Sequence, residues 1–172
     1  MVINHTKTKE WFNLAFNNLD RVIRNYKLRD YADCVFRIHL STEQLQKSLL
    51  FLLGLQFRKT HEPSVIIESF LLKQDIDIEE DINKKLLKIA KLARTIEQEE
   101  TKTRYGSIRK GKLIKPEEEY DKNRTDVFLK LLIEIMAKIM GLLKNLKDFN
   151  EECVEVQKYK NSIETVMNLD QE

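Results

Sequence analysis

His61 shares the short segment QFRKTHEP with Arg58 and Lys59. An imidazole beside a guanidinium can move a proton on a phosphodiester while the guanidinium stabilises the developing charge. Arg58 and His61 are therefore candidate catalytic residues. The competing reading is a loop histidine that supports the start of the next helix. A second candidate is electrostatic. The run TKTRYGSIRKGKLIK carries Lys102, Arg104, Arg109, Lys110, Lys112 and Lys115 with no acid, between Glu99-Glu100 and Glu117 to Glu119. Arg104 offers phosphate a rigid fork of donors, and Tyr105 beside it offers a ring on which a base can stack. Here too a structural alternative stands: Arg104 tied to Glu99-Glu100, and Tyr105 plugging one end of the fold. Lys102, Arg104, Tyr105, Arg109 and Lys110 are the ligand-binding candidates of this run.

Other chemistry finds no support. The chain has no Gly-rich phosphate loop, HExxH, CxxC or nucleophile elbow. His5 falls in an N-terminal tail expected to be disordered, and His39 sits in a helical pattern as a structural residue. Cys34 and Cys153 have no metal-type spacing and read as buried thiols of a reduced protein. No metal and no cofactor is expected. The 172 residues suit a single domain, with a core over about 8–147 and a C-terminal helical extension over about 148–169. Charged residues make up 34% of the chain yet nearly cancel, at +2, so an anionic partner must be sought in local patches. No signal core or membrane-length apolar run is present, which predicts a cytoplasmic protein with no membrane partner.

The elements that must position these residues are helices. Four glycines and two prolines in 172 residues, with Leu, Ile, Lys and Glu dominant, predict an all-α protein. The expected architecture is an antiparallel, up-and-down bundle of about five to six helices. The organising stretch is Asp30 to Arg58. Tyr31, Val35, Ile38, Thr42, Leu45, Leu49 and Leu52 form one face, and Ala32, Phe36, Leu50 and Leu53 widen it. A face this wide implies neighbours on more than one side. Arg37, Gln44 and Lys47 occupy the polar arc, exposed to water or a groove.

A first helix over Thr8 to Tyr26 presents Trp11, Ala15, Leu19, Val22 and Tyr26, with Trp11 as a core anchor, and a short link returns it antiparallel to the second. A third helix is predicted from Ser64, behind Pro63, to about Gln74. A fourth begins near Asp77 or Glu79 and carries Ile82, Leu86, Ile89, Ala93 and Ile96. From Glu99 to Tyr120 periodicity is lost and a long structureless connection is expected. A fifth helix from about Asp121 carries Phe128, Leu131, Ile135, Ile139, Leu142, Leu146 and Phe149, with an outer Glu134–Lys138 pair. It either runs to the C-terminus or breaks near Asp148 to Glu151 and folds back.

This order of elements resembles the HEPN superfamily (higher eukaryotes and prokaryotes nucleotide-binding) of small helical bundles. The resemblance rests on the aromatic-rich first helix with Trp11 and Ala15, the Glu43-x-x-x-Lys47 step, the pair Thr60-His61, and Thr103 to Gly106 with Tyr120 before the last core helix. It spans about Trp11 to Leu146. The family's ribonuclease members carry R-x(4–6)-H near the start of that helix; here Arg124 stands in place but no histidine follows. Gly106 also replaces the proline of the TRYP-type loop. The resemblance thus implies the fold, a homodimer, and a non-catalytic branch that engages a nucleotide, RNA or a minimal nucleotidyltransferase partner. It adds Lys47 to the ligand-binding candidates. A structural dimerisation adaptor, and a metal-independent endoribonuclease toxin of a toxin–antitoxin pair that uses Arg58 or Arg124 with His61, stand as alternatives, so the resemblance adds Arg124 to the catalytic candidates.

Overall fold

The computed structural model describes residues 3–57, 60–73 and 78–169. Five long helices, α1 (His5–Lys27), α2 (Tyr31–Leu52), α4 (Glu80–Glu97), α7 (Lys122–Leu143) and α8 (Asn150–Leu169), make an all-α bundle. Shorter pieces fill its edges: α3 (Pro63–Leu71), α5 (Glu100–Tyr105) and α6 (Pro116–Glu119), with a hairpin of β1 (Ser107–Arg109) and β2 (Lys112–Ile114). Among the described residues, no helix is long and apolar enough to cross a membrane.

Helix starts follow local chemistry. Asn4, Asp30 and Asp121 cap α1, α2 and α7 by accepting from the backbone N–H of Lys7, Asp33 and Arg124, contacts worth about 1 kcal/mol each. The expected start at Ser64 is off by one residue. Pro63 is the first helical residue, because its fixed φ and missing N–H suit that position, and the Ser64 N–H is taken by Glu97.

Helix α2 is the centre, contacting α1, α3, α4, α5, α6 and α7. Val35, Ile38, Thr42, Leu45 and Leu49 are fully buried, as the spacing predicts. The three-residue link through Leu28 and Arg29 sends α2 back antiparallel to α1. Lys85 donates to the Gly141 carbonyl and Lys88 pairs with Glu134 at 3.1 Å, so α4 and α7 are antiparallel. Glu134 therefore meets Lys88 across the helix pair, in place of the expected Lys138. The buried face of α7 comprises Phe128, Leu129, Leu132, Ile135, Met136, Ile139 and Leu143, with Leu131, Leu142 and Leu146 only partly buried. This face is rotated from the expected stripe because α7 is wedged against α2, α4 and α8.

The chain breaks after Leu143, makes a 3-10 turn over Lys147–Phe149, and folds back as α8. Lys9 against Glu152 and Phe16 stacked on Tyr159 put α8 parallel to α1, the folded-back alternative of the two that the sequence offers. A correction concerns residues 99–120, which form regular structure: α5, the hairpin and α6. Each piece is too short to show apolar periodicity, and polar contacts hold them. Lys110 and Gly111 both have positive φ, as a two-residue hairpin turn of type I′ requires.

Candidate functional site: a polar row on the central helix

The polar side of α2 is buried. His39, Thr42 and Gln46 are fully buried, and Glu43 and Lys47 nearly so, on successive turns of one face. Lys47 donates to Glu43 Oε1 at 2.5 Å, and its ammonium lies 4.8 Å from the centre of the Trp11 ring. Trp11 is therefore a half-buried platform for a cation, not the deep anchor expected; Phe12, Ala15 and Phe16 take the core instead. The second oxygen of Glu43 lies 3.2 Å from His61 Nδ1, on the loop before α3. His61 is half exposed, and Thr60 Oγ1 accepts from the Glu62 N–H to shape that loop.

His39 lies under this ion cluster with neither ring nitrogen partnered among the described residues; the same holds for Thr42 Oγ1 and Gln46 Oε1. Burial pushes the His39 pKa down, opposed by Glu43 and Glu100 and reinforced by Arg104 and His61. His39 is thus the point on which α2, the Thr60-His61 loop and α5 converge. One turn further along, Glu97 receives Gln46 Nε2 at 2.8 Å, the Ser64 N–H at 3.2 Å and the Ser64 hydroxyl. Burial raises its pKa despite these donors.

A second polar cluster ties residues 99–124 together. Glu99 accepts from Lys102 (2.8 Å), Tyr120 (2.7 Å) and Arg124 (3.0 Å). Glu119 accepts from Arg124 (2.7 Å), Arg109 (2.6 Å) and Ser107 (3.1 Å). Burial opposes ionisation of both carboxyls, yet these donors and cations hold both pKa values below the ordinary range. The Arg124 guanidinium also lies 4.9 Å from the Tyr120 ring centre and donates to the Glu119 carbonyl. Arg124 is thus clamped between two carboxylates.

The sequence candidates divide accordingly. His61, Lys47 and Arg104 gather around Glu43 and His39. Arg124, Arg109 and Lys102 join the carboxylate clamp. Arg104 is held loosely, 3.6 Å from Glu100 and with its guanidinium 5.2 Å from the Phe36 ring centre. Tyr105 is 70% exposed and so does not plug the bundle. Lys110 is exposed at the hairpin tip. Arg58 lies outside the described residues. Sequence reasoning missed Gln46, Glu97 and Ser64 as one network, for they are distant in the chain and no local pattern marks them. The Glu99 and Glu119 clamp left a signal: the acidic clusters that bracket the basic run.

A central helix with a buried Glu-x-x-x-Lys pair, a Thr-His loop leaning on that glutamate and an α-helical bundle around it define a HEPN-type module. The HEPN domain family model matches residues 8–147, and the chain belongs to that family. The match ends where the 3-10 turn leads into α8. No curated protein and no solved structure matches the chain.

Proposed function

We propose that this protein is a HEPN-type binding module that engages a nucleotide or RNA. The observation that carries the reading is the Arg104–Tyr105 step at the end of α5. A loosely paired guanidinium and an exposed ring stand side by side, and the remaining lysines of the run extend the positive charge. Such a pair suits a phosphate with a base stacked beside it. Lys102 and Arg109 hold the surface in shape through Glu99 and Glu119, so among the described residues the unpaired charge comes from Lys110, Lys112 and Lys115, beside an Arg104 only loosely paired with Glu100. A second copy of the chain and a minimal nucleotidyltransferase are the protein partners in this reading.

The test is binding of a short single-stranded RNA and of a nucleoside triphosphate at two salt concentrations. Affinity is expected to fall with salt, and Arg104→Ala and Tyr105→Ala are each expected to weaken binding about tenfold. Salt-insensitive binding, or none, removes the electrostatic basis of the proposal.

The Glu43–His61 contact favours a second reading, a metal-independent ribonuclease. A carboxylate on Nδ1 orients an imidazole and leaves Nε2 free to exchange a proton. Incubating total RNA with the wild type and with His61→Ala decides it. Equal cleavage by both, or cleavage by neither, ends this reading.

A further inference from the structure

The end of the bundle away from the basic run holds a space that its side chains do not fill. Leu49, Leu52 and Leu53 of α2, Ile82 and Leu86 of α4 and Leu142 of α7 surround a cavity of about 180 Å³. Leu146, beyond α7, and Ile3, before α1, complete its wall. Helix ends explain why the space lies here. Helix α2 stops at Leu52 and the chain turns through Gly54 at φ 68, while α7 stops at Leu143 and leads into the 3-10 turn. Their last turns and the first turns of α4 ring the space with side chains instead of closing over it.

The lining decides what fits. Leu49 and Leu86 are its buried floor, and Leu52, Leu53, Ile82, Leu142 and Leu146 are partly buried walls. Every one of these side chains is leucine or isoleucine, so the cavity offers hydrocarbon and no polar side chain. Interior water needs about two to four polar partners, and this lining supplies none from its side chains. An apolar cavity of about 150 Å³ with such a lining stays dry and takes up benzene, so this one has room for a chain of about six to eight carbons.

The way out is also marked. Ile3 is 37% exposed and also lines an open groove of about 670 Å³, together with Asn4, Thr6, Gly54 and Gln56. The Asn4 N–H donates to the Phe51 carbonyl at 3.2 Å, which holds Ile3 beside the last turn of α2. A molecule with its tail in the cavity therefore passes Ile3 and keeps a polar head among Asn4, Thr6 and Gln56, in contact with water. The two long acyl chains of a membrane lipid exceed this cavity, so the fitting occupant is a free molecule with a single chain.

We propose that the cavity binds a free, single-chain aliphatic molecule of about six to eight carbons, its tail among the leucines and its polar head in the groove beyond Ile3. This site is separate from the surface proposed for a nucleotide or RNA. Helix α4 is 18 residues long, about 27 Å; Ile82 and Leu86 stand near its start and Glu97, close to the basic run, at its end.

The experiment is titration of the full chain with butanol, hexanol, octanol and decanol, followed by methyl NMR and calorimetry. The methyl signals of Leu49, Leu86 and Leu142 are expected to shift saturably, while those of Ile108 and Leu113 on the hairpin stay in place. Affinity is expected to rise about fourfold per added carbon up to octanol and to level off at decanol. Leu142→Phe and, on another wall, Leu53→Phe each place a ring in the cavity. Each is expected to weaken octanol binding at least about tenfold, with circular dichroism confirming that the variant is folded. Should neither fold, the chain-length series on the wild type decides. No saturable methyl shift in the wild type, affinity that keeps rising about fourfold per carbon from octanol to decanol, or unchanged octanol binding in a folded variant would each overturn the proposal.

Discussion

Glu43 and Lys47, one turn apart on α2, are both buried and meet at 2.5 Å. Water screens this pair little, and His61 and the Trp11 ring complete its surroundings. Removing one partner leaves the other charge buried without compensation. Lys47→Ala is expected to cost about 3–5 kcal/mol in urea denaturation. The double variant Glu43→Leu/Lys47→Met is expected to recover much of that loss. A single variant within about 0.5 kcal/mol of wild type would mean that the pair is solvated.

Arg124 carries the second cluster. The pKa values of Glu99 and Glu119 are held below the ordinary 4.5, so their contribution to stability is present above that value. It is lost as pH falls through their lowered folded-state values. Melting temperature is expected to fall steeply below about pH 4.5 in the wild type and less steeply in Arg124→Met, which starts from a lower stability at pH 7. Parallel curves for the two proteins would show that Arg124 does not set these carboxyls.

His39 gives a separate pH signature. Its pKa is pushed below the ordinary 6.5 by burial, so its share of stability is present above that value and is lost as pH falls through its folded-state value. Glu43, Glu100, Arg104 and His61 face it, and they shape where the loss ends. His39→Leu replaces two unpartnered nitrogens with hydrocarbon of similar size. It is expected to be as stable as wild type or about 1 kcal/mol more stable at pH 7, and to lose less between pH 6.5 and 5. A large loss at pH 7 would reveal a hydrogen bond to His39.

The two hairpin glycines separate clash from strain. A Cβ on Gly106 would lie 2.0 Å from the Ile114 carbonyl oxygen, at φ +74, whereas one on Gly111, at φ +76, meets nothing within 4 Å. Gly111→Ala is expected to cost about 1 kcal/mol, and Gly106→Ala about 1–3 kcal/mol together with displacement of β2. Hydrogen exchange at Leu113 and Ile114 reads that displacement. Equal effects of the two substitutions would contradict the geometry.

Much of the architecture could be read along the chain. Apolar residues at steps of three and four located α1, α2, α4 and α7, because that spacing is a local property of a 3.6-residue turn, whereas α8 continues the phase of α7 and its break from α7 stayed one of two readings. Val35, Ile38, Leu45 and Leu49 are buried as their spacing predicts. Gly54 and Pro63 marked the break around α3 because their backbone preferences are also local. The Glu-x-x-x-Lys step and the Thr-His pair pointed to the family that the match over residues 8–147 shows.

Tertiary structure decided the rest. Lys47 belongs to a polar arc in the sequence, but α1 and the Thr60-His61 loop cover that arc and turn it into a buried row. The basic run reads as one cationic patch; folding brings Glu99 and Glu119 against Lys102, Arg109 and Arg124, sets Arg104 loosely against Glu100, and leaves the hairpin lysines Lys110 and Lys112 unpaired among the described residues. The sequence alone determined where helices form and which faces are apolar, since both follow from neighbouring residues. Which charges face one another depends on contacts between residues far apart in the chain, such as Gln46 with Glu97, and only the packed bundle brings those together.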